Sequence, residues 1–188
     1  MATAQQQQDI IALTTMMFNA PPGATFLAQL EEQLDSGQSL QEVAAGLATT
    51  PLFNSQFSGL DSDKEKIDLA LSFVGLDAQS LAYGEAFDFF KTSIANGVNP
   101  GVALADASSF LSTTENEDFA QAAVTFRNKV DVGKEHTINL GLSSDNSDEL
   151  KSVVEGVTGD PQTVDQAKQQ LSEQAQGDEP LPDPQPQP

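Results

Sequence analysis

The sequence predicts an all-α fold, a compact bundle of about nine short helices followed by a disordered Pro-rich tail. Three observations predict it. Apolar residues recur at helical spacing along almost the whole chain. Helix-start signals of the Ser-x-x-Glu and Thr-Pro kinds punctuate them, and the strand-like alternation from Thr137 to Leu142 has no second strand to pair with.

Taken in order, Ile10, Leu13 and Met17 share one face of a first helix, which Pro21, Pro22 and Gly23 terminate. Leu27, Leu30 and Leu34 form the apolar face of a second, stopped at Asp35, Ser36 and Gly37. Ser39 and Glu42 fit a capping box, in which a hydroxyl and a carboxylate each satisfy a backbone N–H of the first turn, and the helix they open carries Val43 and Leu47. Thr50 and Pro51 read as N-cap and first helical residue of a short turn through Phe53 and Phe57, because proline lacks the N–H that goes unused there. Ser62 and Glu65 fit a second capping box ahead of Ile67, Leu71 and Val74.

Tyr83, Phe87, Phe90 and Ile94 lie close to one stripe of the next helix. Asn99 and Pro100 open another, and Thr114 with Glu117 is expected to cap the helix carrying Phe119, Ala123, Phe126 and Val130. The stretch Thr137 to Leu142 is expected as helix or turn. Leu150, Val153 and Val157 mark a further helix, and Asp160 with Pro161 caps the last, whose thin apolar edge is Val164, Ala167 and Leu171. An echo runs through this order. Leu34 and Gly37, a capped helix, Thr49 and Thr50, then Phe53 are matched by Ile94 and Gly97, a Pro-started helix, Thr113 and Thr114, then Phe119. The pattern fits either two related helical submodules or the ordinary punctuation of short helices.

Residues 1–175 therefore form the expected helical domain and 176–188 an acidic, Pro-rich linker. Its sequence is aromatic-free and favours extended polyproline II, so the expectation is of a module within a longer or tethered protein. The first nine residues have no basic n-region and no long apolar h-region and do not read as a Sec signal peptide. No apolar run is long enough to insert in a membrane.

The 38% hydrophobic content and 11 Phe supply a core, but the charge is the unusual quantity: 28 acidic against 8 basic residues, a net −20. That balance argues against nucleic acid as a direct partner and against electrostatic docking on an anionic membrane. It fits a soluble monomer, or an exported protein in saline or calcium-rich surroundings where counterions screen the repulsion. The absence of Cys excludes disulfides, thiolate metal sites and Cys nucleophiles.

Candidate chemistry is sparse. His136 is the single His, lies beside Lys134 and Glu135, and is expected on the solvated surface. No nucleophile elbow, zincin helix or phosphate loop is present. Asp61, Asp63 and Glu65 put three carboxylates at alternate positions before a helix. That suits a calcium ion, which takes hard oxygens from a short loop. It equally suits a helix N-terminus, which favours negative charge. Ser144 to Glu149 presents the same two readings. Arg127, Asn128 and Lys129 offer adjacent donors able to grip a sugar or an acidic group, or to bridge internally to this chain's carboxylates. Tyr83 and its Phe stripe read either as a sugar-stacking platform or as core.

The stretch Asp118–Val130 (DFAQAAVTFRNKV), with Gly133 and then Gly156–Ala167 (GVTGDPQTVDQA), resembles a helical domain of unknown function from the N-terminal side of bacterial RTX-type and surface-layer proteins. Ser39 to Phe57 is similar to that domain's earlier part, and the resemblance covers most of residues 15 to 172. It implies export by type I secretion through an uncleaved C-terminal signal, a place at the bacterial cell surface, and attachment to envelope polysaccharide such as lipopolysaccharide. Calcium in that family belongs chiefly to downstream repeats, and this chain contains no such repeat. The family brings no catalytic residues with it.

The expectation is thus a noncatalytic, extracellular surface module that binds envelope polysaccharide or copies of itself, with Arg127, Asn128 and Lys129 as donors and calcium as the ion the carboxylates suit. Two other readings stand beside it. One is a protein-interaction module of a secreted enzyme or biofilm matrix protein, and the other a glycan hydrolase with an unmarked carboxylate pair.

Overall fold

A computed structural model describes residues 2–177 of the chain, and the run from Asp178 on, most of the predicted linker, lies outside them. Among the described residues there are ten α-helices and no strand: α1 (Ala4–Phe18), α2 (Ala24–Asp35), α3 (Leu40–Leu47), α4 (Pro51–Ser55), α5 (Asp63–Ser72), α6 (Tyr83–Ala95), α7 (Pro100–Thr113), α8 (Ala120–Lys134), α9 (Ser147–Ser152) and α10 (Pro161–Gly177). None is long and apolar enough to cross a membrane.

Helix α1 is the centre. Every residue from Ile10 to Phe18 is buried, so the face seen in the sequence is only part of a helix enclosed on all sides by α2, α3, α7 and α8. Thr14 tolerates this because its hydroxyl folds back onto the carbonyls of Ile10 and Ile11. A fully buried Ile or Leu contributes about 2 kcal/mol, and Ile10, Ile11 and Leu13 are all at 0% exposure, so this helix anchors the core. Asn19 ends it in the left-handed conformation, where a short polar side chain is tolerated.

The caps explain why the chain breaks where it does. Ser39 and Glu42 form the expected capping box, as do Ser62 and Glu65, and Thr50 accepts from the Phe53 N–H with Pro51 in the first turn. Asn99 accepts from Gly101 N–H with Pro100 at the start of α7. A third capping box, Thr3 with Gln6, opens α1. One expected cap moves. Thr114 closes α7 in extended conformation, and Asn116 caps a 3₁₀ turn, Glu117–Phe119, that leads into α8. The hydroxyl of Thr114 instead accepts from the Asn116 N–H.

The two matched segments also match in geometry. Gly37 and Gly97 both take left-handed backbone, at φ 100° and 71°. In each turn the glycine N–H reaches back to Leu34 or Ile94 and the next N–H to Gln33 or Ser93, closing the preceding helix the same way. The helices that follow, α3 and α7, pack directly on each other, and Gly101 sits at their closest approach. Phe53 and Phe119, at the ends of the matched segments, are both buried.

A second, smaller core sits at the C-terminal end. Val132 of α8 meets Val153, Val154, Val157, Val164, Ala167 and Leu171, whereas Ala122, Ala123, Phe126 and Val130 of the same helix face the main core. Lys168 of α10 pairs with Asp131 of α8 at 2.6 Å across this junction. The Thr137 to Leu142 stretch begins in a π turn, Glu135–Asn139, closed by the Leu140 N–H on the Glu135 carbonyl, and leaves it as a loop. Leu142 then lends its carbonyl to Ala24 N–H at the start of α2.

Candidate binding clefts

The π turn accounts for His136. Its extra residue per turn rotates the ring inward, so the imidazole is buried at 4% exposure, contrary to the solvated surface expected from its polar neighbours. Thr137 donates its hydroxyl proton to the Pro22 carbonyl at 2.6 Å. The 3.3 Å contact from His136 Nδ1 to the same oxygen must then be an N–H donated to it. Burial pushes the imidazole down from its ordinary value, which keeps it neutral around pH 7. It is a packing residue at the α2 junction.

The donor triplet on α8 is split three ways. Arg127 is exposed and has no hydrogen bond or ion pair among the described residues. Asn128 donates to the Thr158 carbonyl at 2.7 Å, tying α8 to the turn before α10. Lys129 is buried at 8% exposure, so it is not presented as a surface donor. Its ammonium donates to Asn19 Oδ1 and to the Phe73 carbonyl, both at 2.7 Å. Those groups are the C-caps of α1 and α5, where the helix dipole is negative, so Lys129 fastens two helix ends to a third helix. Burial pushes it down to about 8. The internal bridge foreseen for this triplet exists, but to neutral oxygens and not to carboxylates.

Asp61, Asp63 and Glu65 do not converge. Glu65 Oε2 accepts from the N–H groups of Asp61 and Ser62 and from the Ser62 hydroxyl, which hold its carboxyl below the usual range. Lys64 between them pairs with Asp68, whose other oxygen accepts from Tyr83 OH. Ser144 to Glu149 is likewise built as a cap, with Asn146 accepting from Asp148 N–H and Ser144 donating to Glu149. Among the described residues no group of three His, Cys, Asp or Glu side chains is gathered to hold a metal ion. The Tyr83 stripe is partly core: Phe90 is buried, Tyr83 stacks on Phe87 at 5.6 Å, and Ile94 is exposed.

Two of the concavities among the described residues are large enough for a ligand group. The larger of these two, about 350 Å³, lies between the turn into α2, the end of α4 and the segment 143–151, and we call it the polar cleft for its serines, Asp145 and Lys151, although most of its wall is apolar. Its walls are assembled from distant parts of the chain. Thr25 N–H bonds the Ser143 hydroxyl at 3.0 Å, and Gly23 lies so close to the same strip that a Cβ there would stand 3.1 Å from Ser143 Cα. Ser55, Ser144 and Ser147 line it together with Asp145, Lys151, Phe18 and Phe26, with the Ser55 hydroxyl donating to the Leu52 carbonyl and the Ser144 hydroxyl to Glu149. Gln56 on its wall donates its amide N–H to the Met17 carbonyl at 2.8 Å. That bond fixes the amide's orientation, and its Oε1 is buried without a hydrogen-bond partner. With almost no accessible surface, that oxygen is part of the packed wall and not a contact offered to the cleft.

The smaller concavity is an apolar groove between α6 and α7. Neither was legible as a whole: Ser144 to Glu149 and the stripe holding Phe90 supply part of each lining, but the residues they meet carry no sequence signal. Ser143 and Thr25 are 118 positions apart, and Phe89 falls outside the stripe that the helical spacing picks out. No protein-family model, curated protein or solved structure matches the chain.

Proposed function

We propose that this chain is a noncatalytic surface module that attaches to envelope polysaccharide, with sugar residues seated in the polar cleft. The observation that carries the reading is the gathering of Ser55, Ser144, Ser147, Asp145 and Lys151 beside Phe18 and Phe26 in one cleft. Sugars offer several O–H groups and an apolar ring face at once, which suits a lining of serines and phenylalanines. Asp145 and Lys151 at the same cleft accommodate a substituent of either charge. The resemblance to RTX-associated surface domains supports the same placement, at the exterior of a bacterial cell. Individual sites of this kind bind weakly, and repetition over a surface makes attachment stable. Calcium screening the net −20 would assist contact with an anionic polysaccharide.

The test is retention of the protein on immobilised lipopolysaccharide, with calcium and with chelator, beside a neutral glucan. Ser55→Trp fills the cleft from an exposed position without touching the core. Wild type is expected to be retained on lipopolysaccharide, and the plugged variant to lose about tenfold in affinity with an unchanged helical spectrum. Retention that survives the plug, or no retention of the folded wild type on either polysaccharide, would remove the cleft reading. Arg127→Ala is expected to matter less than the plug, because Arg127 is not among the residues that line the cleft.

A further inference from the structure

The apolar groove between α6 and α7 has a volume of about 200 Å³. Its lining includes Leu71, Leu111 and Phe119, and Phe89 and Phe110 among its walls are 42% and 41% exposed. Both exposed rings are braced by other aromatics. Phe110 stands edge-on to Phe119 at 5.0 Å, and Phe89 to Phe90 at 5.1 Å. Each also has a carboxylate one helical turn before it, Glu85 ahead of Phe89 and Asp106 ahead of Phe110, and spacing of four places each pair on one face. Both carboxylates line the groove, are exposed, and have no hydrogen bond or ion pair among the described residues. Lys91, the cation of α6, falls on another side of that helix by the same spacing.

We infer that this groove docks an amphipathic helix of a partner protein that carries a large apolar side chain flanked by lysine or arginine. The volume suits one or two such side chains. The braced phenylalanines supply a dry centre, and the two unpaired carboxylates a rim of one sign. Charge decides among occupants. A second copy of this chain brings net −20 to an acidic rim, and the segment from Asp178 is itself acidic, so both are opposed by like charge. A cationic amphipathic helix matches the aromatic floor and the rim together. This site is separate from the polar cleft and does not depend on the polysaccharide reading.

The probe is a fluorescent amphipathic peptide of leucine and lysine with one tryptophan, titrated at physiological salt beside its leucine and glutamate counterpart. The lysine peptide is expected to bind and the glutamate peptide not to. Phe110→Ser, and separately Glu85→Gln with Asp106→Asn, should each weaken binding by about tenfold or more. Glu155→Gln with Asp165→Asn, exposed acids of the C-terminal core region, changes net charge equally and should shift affinity by no more than about twofold. The amide pair removes no core side chain, so it remains decisive if Phe110→Ser unfolds. Amide shift changes in the wild type should centre on α6 and α7. Equal loss in the distant acid pair would mean bulk attraction to a polyanion and would overturn the inference. So would absence of binding, equal binding of the two peptides, or shift changes spread over the surface.

Discussion

Gly101→Ala should be the most damaging small substitution in the molecule. A Cβ at this position would stand 2.0 Å from the carbonyl oxygen of Ala44 and 2.5 Å from its carbon. Both atoms are backbone, so no side-chain rotation relieves the clash, and α3 and α7 must separate. Their contact buries Val43, Ala44, Leu104 and Ala105 against α1, and opening it exposes the centre of the core. The expected loss is about 3 kcal/mol or more, read as a lower urea midpoint with unchanged slope. Gly46→Ala is the matched control, since a Cβ there meets nothing within 4 Å, and alanine's helix propensity should leave stability equal or raised by about 0.5 kcal/mol. Equal midpoints for Gly101→Ala and wild type would mean that the α3–α7 crossing is not as close as described.

Lys129→Met should cost about 2–3 kcal/mol, because it keeps the aliphatic stem and removes the ammonium that satisfies Asn19 Oδ1 and the Phe73 carbonyl. The two helix ends it joins, α1 and α5, would lose their common donor. The interaction also carries a pH signature. Burial lowers the folded-state value from 10.5 to about 8. Below that value both folded and unfolded chains hold the proton, and the desolvation penalty on the charge is fully present. Between about 8 and 10.5 the unfolded chain still binds a proton that the folded protein has released, so stability rises with pH across this window. Above 10.5 the gain levels off. Denaturant midpoints of wild type and Lys129→Met measured from pH 7 to 11 isolate this term, because the other groups titrate in both. A flat difference between the two proteins would show that Lys129 keeps its ordinary affinity for protons, and a falling one that folding raises it; either would overturn the burial account.

Much of the fold was written in local chemistry. Capping boxes at Ser39 and Ser62, and the Thr50-Pro51 and Asn99-Pro100 starts, involve residues within three positions of each other, so a sequence displays them directly. The failures share a different cause. Thr114 and Asn116 are both competent caps, and the structure uses Asn116, with Phe119 at the end of that turn edge-on to Phe110. Lys129 reads as a surface donor because lysine is seldom buried, and only the meeting of two distant helix ends makes burial possible. His136 is turned inward by a π turn that has no sequence signal. For the candidate sites only part of each lining was legible. The polar cleft is closed by Thr25 against Ser143, and the groove by residues of two helices whose crossing no periodicity reveals.

The small C-terminal core has a consequence for how the molecule breathes. Its buried members are valines, one alanine and one leucine, far less apolar surface than the cluster around α1, so α10 and the turn carrying Val153, Val154 and Val157 are held by less than the helices around α1. Helix α9 is also a wall of the polar cleft, through Ser147, Leu150 and Lys151. Leu150 packs this wall on the main core, and α9 runs directly into the turn at 153–157, so opening of that turn loosens one end of the cleft. Amide hydrogens of α9 and α10 should exchange with solvent well before those of α1 and α7, through partial opening and not through global unfolding. A ligand in the cleft would slow that exchange selectively, so occupancy would be registered as rigidity at the end of the domain from which the acidic, proline-rich segment departs.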